Sequence, residues 1–367
     1  MKRTLSLWAL ALLLVSLAGP ARAQKNAQQK EAEAFLAAAM TQHHIPGLAY
    51  TVVKDGKVIH QGQLGQANLA WNSPVDRETA FQTASCSKLF AALLLGRLFD
   101  DKVLSPDQTL GELLDSIPYY WKGITVRQLA AHQSGIWIAD FWKAKTTKEA
   151  LEMAKKERME YEPGTRSFYV SSDYWILQHV IEQKTGKPYF EALRHYVLEP
   201  LGMRHTYVNY NDDSSIRTHR VIPKEAAVYA YDKGANGYRV SDMQFGSTGY
   251  TAGGVYTSIE DMARIAQTLD EGTFLAPATQ ALLLNPALLK DGQPGSFGVG
   301  FVTETYQGHK ISGHSGGPAL SDFVRFNDQQ LTLVVLTNQR GFYPYLAKGL
   351  ATVYLPALKM PELPPAF

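Results

Sequence analysis

"GHSGGPALSDFVRFNDQQLTLVVLTN", Gly313 to Asn338, is the stretch whose reading decides the fold. Its first five residues fit G-x-S-x-G, the nucleophile elbow of many serine hydrolases, where a strand ends, a strained turn exposes the serine and a helix starts directly behind it. No helical pattern follows Ser315. Leu320 to Phe326, a polar turn at Asn327 to Gln330 and the β-branched apolar run Leu331 to Leu336 read as two strands of a hairpin. The elbow reading fails, so either the match is accidental or these residues serve a different chemistry.

Further out, the other end of the chain carries strands as well. "LAYTVV" and "KVIHQGQLG" flank Lys54-Asp55-Gly56, a turn whose glycine can take positive φ. Ahead of them, Gln28 to Gln42 places Phe35, Leu36, Ala39 and Met40 at helical spacing, and Ile45-Pro46-Gly47 stops that segment. The middle of the chain is mostly helical: Lys88 to Phe99, Thr125 to Ala131, Lys148 to Lys156, Asp173 to Lys184 and Tyr189 to Leu198. Ser258 with Asp261 forms a capping box before the helix Ile259 to Leu269, and strands dominate from Phe297 to Thr337.

Strands at both ends with helices between them imply an α+β fold. An antiparallel sheet is built from N- and C-terminal segments and flanked by helices, with a mostly helical subdomain inserted. The expected division is 24–75 plus 250–367 for the sheet and 76–249 for the helices. The cleft between them is the natural site.

The chain opens "MKRTLSLWALALLLVSLAGPARAQK", with Lys2 and Arg3, the apolar stretch Leu5 to Leu17, and Ala21-Arg22-Ala23 as a small-x-small cleavage site. This reads as a secretory signal peptide, residues 1–23, cleaved near Ala23, so the protein is expected in the periplasm or outside the cell. The apolar run is shorter than the roughly 20 residues of a spanning helix, and no later stretch is long enough. Removing Lys2, Arg3 and Arg22 turns the formal charge of +2 slightly negative, which speaks against nucleic acid as a partner. One cysteine, Cys86, forbids an intrachain disulfide, so the fold must rest on its core.

The chemistry is expected in "QTASCSKLFAALLLGRLF", Gln82 to Phe99. From Ser87 onward the residues are apolar on nearly every face, the pattern of a helix buried all round. Ser85 and Lys88, three apart, share one face of its first turn, where free N–H groups and partial positive charge collect. Desolvation there penalises an ammonium, and a neutral amine accepts a proton from a neighbouring hydroxyl. The plainer reading has Ser85 capping the helix and Lys88 reaching solvent.

Tyr169 lies before a helix that starts at Ser171 or Ser172, outside the stripe of Trp175, Ile176, Val180 and Ile181. A loop phenol beside a lysine could relay a proton. Ser171 is explained equally well by capping and by substrate contact. "KTG" at Lys184 to Gly186 matches a β-lactamase signature literally but falls at a helix C-terminus, where a glycine followed by Pro188 is stop chemistry.

In order and spacing, Ser85-Cys86-Ser87-Lys88, Tyr169-Val170-Ser171 and His314-Ser315-Gly316 resemble the serine β-lactamase and penicillin-binding superfamily. The branch of class C β-lactamases, D,D-carboxypeptidases, D-aminopeptidases and related esterases is the most similar. "ITVRQLAAHQSGI", "FEALRHYVLEPLGM" and "GYTAGGVYTSIEDMAR" look like this family too. The resemblance implies a β-lactamase/transpeptidase-like fold, an acyl-enzyme on Ser85, Lys88 as base and Tyr169 in the proton relay. His314-Ser315-Gly316 then takes the H-x-G form that replaces K-T-G in part of the superfamily, with His314, Ser315 and Gly316 binding substrate. Gly316 and Gly317 let a substrate backbone approach, and the N–H groups of Ser85 and Gly317 form the oxyanion hole.

Histidine at 314 should hold a substrate carboxylate less well than lysine, and activity on such substrates should rise as pH falls toward its pKa. The expected partner is a small-molecule or short-peptide substrate, with no cofactor and no metal. His43 and His44 lack acidic or cysteine partners, His132 is expected to order its loop, and Cys86 to pack. Trp137, Phe141 and Trp142 read equally as pocket lining or core. The leading function is a serine hydrolase of esterase, D-amino-acid peptidase or β-lactamase type. A penicillin-binding sensor that acylates without turnover, or an inactive interaction module, are the alternatives.

Overall fold

The computed structural model describes residues 27–137, 144–208, 221–241, 245–342 and 344–362. The leader expected at 1–23, together with Phe141 and Trp142, lies outside the described residues.

Seven strands form the main sheet: β1 (Gly47–Lys54), β2 (Lys57–Asn68), β3 (Ser73–Pro74), β4 (Val302–Tyr306), β5 (His309–Gly316), β6 (Ser321–Phe326) and β7 (Leu331–Thr337). Their spatial order is β3-β2-β1-β7-β6-β5-β4, with every pairing antiparallel. The two ends of the chain close the sheet through β1 and β7, from Leu48 opposite Thr337 to Lys54 opposite Leu331. Asp55 at φ 50° and Gly56 at φ 73° make the left-handed pair that a two-residue hairpin turn requires. Ser315 sits near the end of β5, and residues 317–320 turn straight into β6. The chain therefore has no elbow helix behind Ser315.

Strands β1, β6 and β7 are buried on both faces, which is why β1 and β7 read as largely apolar runs rather than alternating ones, while β6 buries Asp322 and Arg325 among its apolar residues. Ala49, Val53, Phe323, Val334 and Leu336 join one core with the helices α2 (Ser87–Asp100), α3 (Ser172–Thr185) and α4 (Ile259–Glu271). The alternate residues Tyr50, Val52, Val324, Leu333 and Val335 join a second core with α1 (residues 27–43) and α5 (Leu346–Tyr354). The two cores place the sheet between two helical layers.

Helix α2 is buried at every position except Arg97 and Asp100, as its all-round apolar pattern requires. At α4 only half of the expected capping box forms. Ser258 accepts from the Asp261 N–H, but the buried Asp261 carboxylate accepts instead from His205 N–H at 2.8 Å and Thr206 Oγ1 at 2.7 Å. Gly186 ends α3 at φ 64°, so "KTG" is stop chemistry here. Among the described residues no helix is long and apolar enough to cross a membrane.

Candidate active site

The segment carrying Ser85 is held at both ends. The short strand Phe81–Gln82 pairs with Val255–Thr257, and Thr83 Oγ1 donates to the Val255 carbonyl at 2.7 Å. Ser87 Oγ accepts from Val255 N–H at 2.9 Å, fixing the first residue of α2 to the same strand. Ala84 takes a left-handed φ of 44°, a costly conformation for alanine placed directly before the serine. Between Phe81 and Phe90 only Ser85 is not buried.

Lys88 is fully buried in the first turn of α2. Its Nζ donates to Tyr169 Oη at 2.8 Å and to the Ala252 carbonyl at 2.9 Å, and lies over the rings of Tyr169 and Tyr174. Tyr169 Oη in turn donates to Ser85 Oγ at 2.8 Å. The serine and lysine read as neighbours on one helical face are thus linked through the phenol, which stands between them. Lys88 does not reach solvent, so the plainer reading of it fails.

Strand β5 lies against the Ser85 turn. Cys86, buried beside the serine, donates its Sγ–H to the His314 carbonyl at 2.8 Å, and burial pushes its thiol up to about 12. A Cβ on Gly316 would fall 1.9 Å from the Thr83 carbonyl oxygen. That corrects the sequence reading of this glycine: its missing side chain admits the protein's own backbone, not a substrate's. Gly317 is the residue with open space, since nothing lies within 4 Å of a Cβ built there.

His314 requires a second correction. Its ring is 6% exposed, its Nδ1–H donates to the Ser315 carbonyl at 2.8 Å, and its buried Nε2 has no partner. Burial, reinforced by the Lys88 charge, drives its pKa down to about 3. The imidazole is therefore neutral across the working range, and the expected rise in activity as pH falls toward an accessible pKa has no titrating group behind it. Ser315 directs its proton to Asp322 Oδ1 at 2.8 Å, inside the sheet's own hydrogen bonding. Ser171 sits at the start of α3 without a side-chain cap bond and half-buried, so capping does not account for it.

Trp137 is 43% exposed and lines a cavity of about 420 Å³ with Glu160, Tyr161, Arg166 and Phe168. Of the two readings offered for it, core is the wrong one. His43 bonds the Tyr345 hydroxyl at 2.9 Å and His44 stacks on Tyr231. Glu78, His205 and Glu260 bring ligand-type atoms within 4.8 Å of one another. Lys224 donates to Glu78 at 2.8 Å and Arg77 Nε lies 3.4 Å from Glu260, so the chain's own cations already neutralise both carboxylates.

Sequence reasoning missed the Ala252 carbonyl and the Cys86 tie. A main-chain acceptor leaves no side-chain signature, and a cysteine that fills space looks the same as one that aligns a strand.

This fold and this cluster of polar groups define the β-lactamase-type serine hydrolases as a class. The chain belongs to the Beta-lactamase family, whose model matches residues 32–354. It is 27% identical over 305 residues to penicillin-binding protein 4* of Bacillus subtilis, covering 77% of this chain and 66% of that protein. A D-aminopeptidase of Gluconobacter oxydans is 24% identical over 310 residues, covering 80% of this chain and 56% of the relative. The chain thus spans little more than half to two thirds of these relatives' length. Among solved structures, the octameric penicillin-binding protein homologue from Pyrococcus abyssi superposes with a TM-score of 0.75 at 24% identity. That match covers 91% of this chain and 79% of the other, a likeness of fold.

Proposed function

We propose that the protein is an exported serine hydrolase working through an acyl-enzyme on Ser85, with esters and D-amino-acid amides or peptides as its best substrates. The observation that carries this is the unbroken chain Lys88 Nζ, Tyr169 Oη, Ser85 Oγ, each link 2.8 Å. Such a chain runs in the opposite direction when the two O–H bonds rotate and Lys88, having given up a proton, turns a lone pair toward the phenol. In the acylating direction Ser85 passes its proton to Tyr169 as Tyr169 passes one to the unprotonated Lys88 amine, and the serine oxygen attacks the carbonyl. The N–H groups of Ser85 and Gly317 receive the oxyanion, and Tyr169 returns a proton to the departing oxygen or nitrogen while Lys88 reprotonates the phenol. Water then attacks the ester by the same steps, releasing the acid and restoring Ser85.

The neutral His314 favours substrates without a carboxylate beside the scissile bond, because an uncharged, buried imidazole offers such a group no opposite charge. That places β-lactams and D,D-carboxypeptidase substrates below esters and D-amino-acid amides in this reading. Ser171 supplies a hydroxyl to the substrate's polar atoms. Similarity to D-aminopeptidases and to a penicillin-binding protein supports the same range of leaving groups. The leader at 1–23 supports a mature chain starting at Gln24 in the periplasm or medium, checked by the mass of the protein recovered from the producing cell.

The test is intact mass after a fluorophosphonate and after a β-lactam, alongside turnover of p-nitrophenyl esters, D-amino-acid amides, D-Ala-D-Ala peptides and nitrocefin. A fluorophosphonate adduct that Ser85→Ala abolishes, with ester or amide turnover above nitrocefin, is expected. A lasting β-lactam adduct with no turnover of any substrate makes the protein a penicillin-binding sensor instead.

A further inference from the structure

Tyr169 has no regular secondary structure to hold it. Its neighbours on both sides are held by one residue, His132. The His132 carbonyl accepts from Phe168 N–H at 2.8 Å and from the Tyr161 hydroxyl at 3.2 Å. Its Nδ1 accepts from Val170 N–H at 3.4 Å, and its ring lies 4.7 Å from the Tyr169 ring, centroid to centroid. His132 is 1% exposed and sits at a left-handed φ of 55°, a strain that persists only where the surroundings over-determine it.

Behind the imidazole lies a fully buried carboxyl that the acyl-transfer steps do not use. Asp173 Oδ2 is 3.2 Å from His132 Nδ1, and Ser134 Oγ donates to Asp173 Oδ1. Counting donors fixes the protons. Ser134 Oγ accepts from Ile136 N–H at 2.9 Å, so its single proton goes to Asp173. Val170 N–H can only donate, so Nδ1 presents its one lone pair, shared between that N–H at 3.4 Å and the Asp173 oxygen at 3.2 Å, and the oxygen bonds favourably there only if it carries hydrogen.

We propose that Asp173 acts as a neutral acid donating to His132, and that this pair is the positioning device that keeps the Tyr169 phenol in register between Lys88 and Ser85. The proposal rests on the acyl-enzyme reading of Ser85 for its functional consequence, but not for its protonation state. Of the groups facing the pair, Lys88 disfavours an imidazolium at His132; Lys88 and the Ser134 bond pull toward an ionised Asp173 but are outweighed by burial, and the rings of Tyr169, Tyr174 and Phe297 enclose the pair without supplying a counter-ion. Burial raises the Asp173 pKa well above the usual carboxylate range and lowers that of His132. A neutral Asp173 also leaves no fixed negative charge bonded to Lys88, whose donors go to a phenol and a carbonyl.

Asp173→Asn separates this from a merely structural carboxylate, because the amide keeps the acceptor for Ser134 and puts an N–H where the acid proton stands. Asp173→Asn should acylate with a fluorophosphonate and turn over an ester within about threefold of the parent, with the same pH profile. Asp173→Ala and His132→Gln should lose about 10–100-fold in kcat with KM within about threefold, the signature of a misplaced catalytic group rather than lost binding. An infrared difference spectrum of parent minus Asp173→Asn at neutral pH should contain a protonated-carboxyl band.

Absence of that band, or Asp173→Asn as damaged as Asp173→Ala, overturns the neutral acid. A folded His132→Gln chain with the parent's kcat overturns the positioning role. Should His132→Gln not fold, the two Asp173 variants and the spectrum decide. A parent that takes no label at Ser85 counts against the acyl-enzyme reading alone, and the spectrum still tests the pair.

Discussion

On the helical side of the site Ser85, Tyr169 and Lys88 hand hydrogen bonds to one another, whereas on the strand side His314 and Ser315 direct theirs into the protein's own backbone and sheet. Both sides carry residues that a motif comparison marks as functional. Only the first joins its motif residues to one another. The second holds a neutral imidazole, a serine committed to Asp322 and a glycine filled by the Thr83 carbonyl. The lesson is that a signature residue can be retained for chemistry or for docking, and the hydrogen-bond partner separates the two uses.

The contrast can be broken first at Lys88. Lys88→Met should lower the acylation rate about 10²–10⁴-fold while leaving the protein folded, because an unbranched apolar chain refills a site that costs free energy to hold an amine. Stopped-flow or mass-resolved fluorophosphonate labelling measures it, and a loss under tenfold would mean that the amine does not serve the serine. Tyr169→Phe should follow at about 10²-fold with an unchanged melting temperature, since the ring stays and only the bridging hydroxyl goes. A His314→Gln variant as slow as Tyr169→Phe would erase the distinction between the two sides.

The strand side is sharpened by a pair of glycines. Gly316→Ala drives a methyl into the Thr83 carbonyl and should cost about 1–3 kcal/mol in chemical denaturation, with activity falling as β5 shifts from Ser85. Gly317→Ala, facing open space, should stay within about 0.5 kcal/mol. Equal effects at the two positions would count against the docking role of Gly316.

The smallest effect is in the pH dependence of stability. Folded His314 titrates near 3 against an ordinary value of 6.5, so below pH 6.5 the unfolded chain binds a proton that the folded one refuses. The stability that His314 contributes is present above pH 6.5 and is lost as pH falls toward 3. Buried Asp173 and Asp322, with raised pKa values, act in the opposite sense, so the comparison must be between variants. His314→Gln should remove up to ~1.4 kcal/mol per pH unit of slope between pH 6 and 4, read from denaturation midpoints. Parallel curves for the two proteins would mean that His314 ionises in the native state.

Much of this arrangement could be read from residues close together in the chain. The largely apolar runs of β1 and β7, the Asp55-Gly56 turn, and the buried face-free helix after Ser85 each follow from local chemistry. So does the reading of Lys184 to Gly186 as helix-stop chemistry rather than a strand motif. The misreadings share a cause. Gly316 reads as substrate-facing, Asp261 as half of a capping box and His314 as an accessible titrating group because what occupies the space beside each comes from a segment remote in sequence.

The sequence alone determined which elements form and which serine and lysine stand at the head of a buried helix, because periodicity, turn residues and i,i+3 spacing act over a few residues. Only the tertiary structure decided that a phenol stands between them, that a carbonyl 164 residues away holds the lysine, and that the histidine of the third motif stays uncharged. Those outcomes depend on desolvation and on contacts between distant segments, and both exist only once the two ends of the chain have closed the sheet.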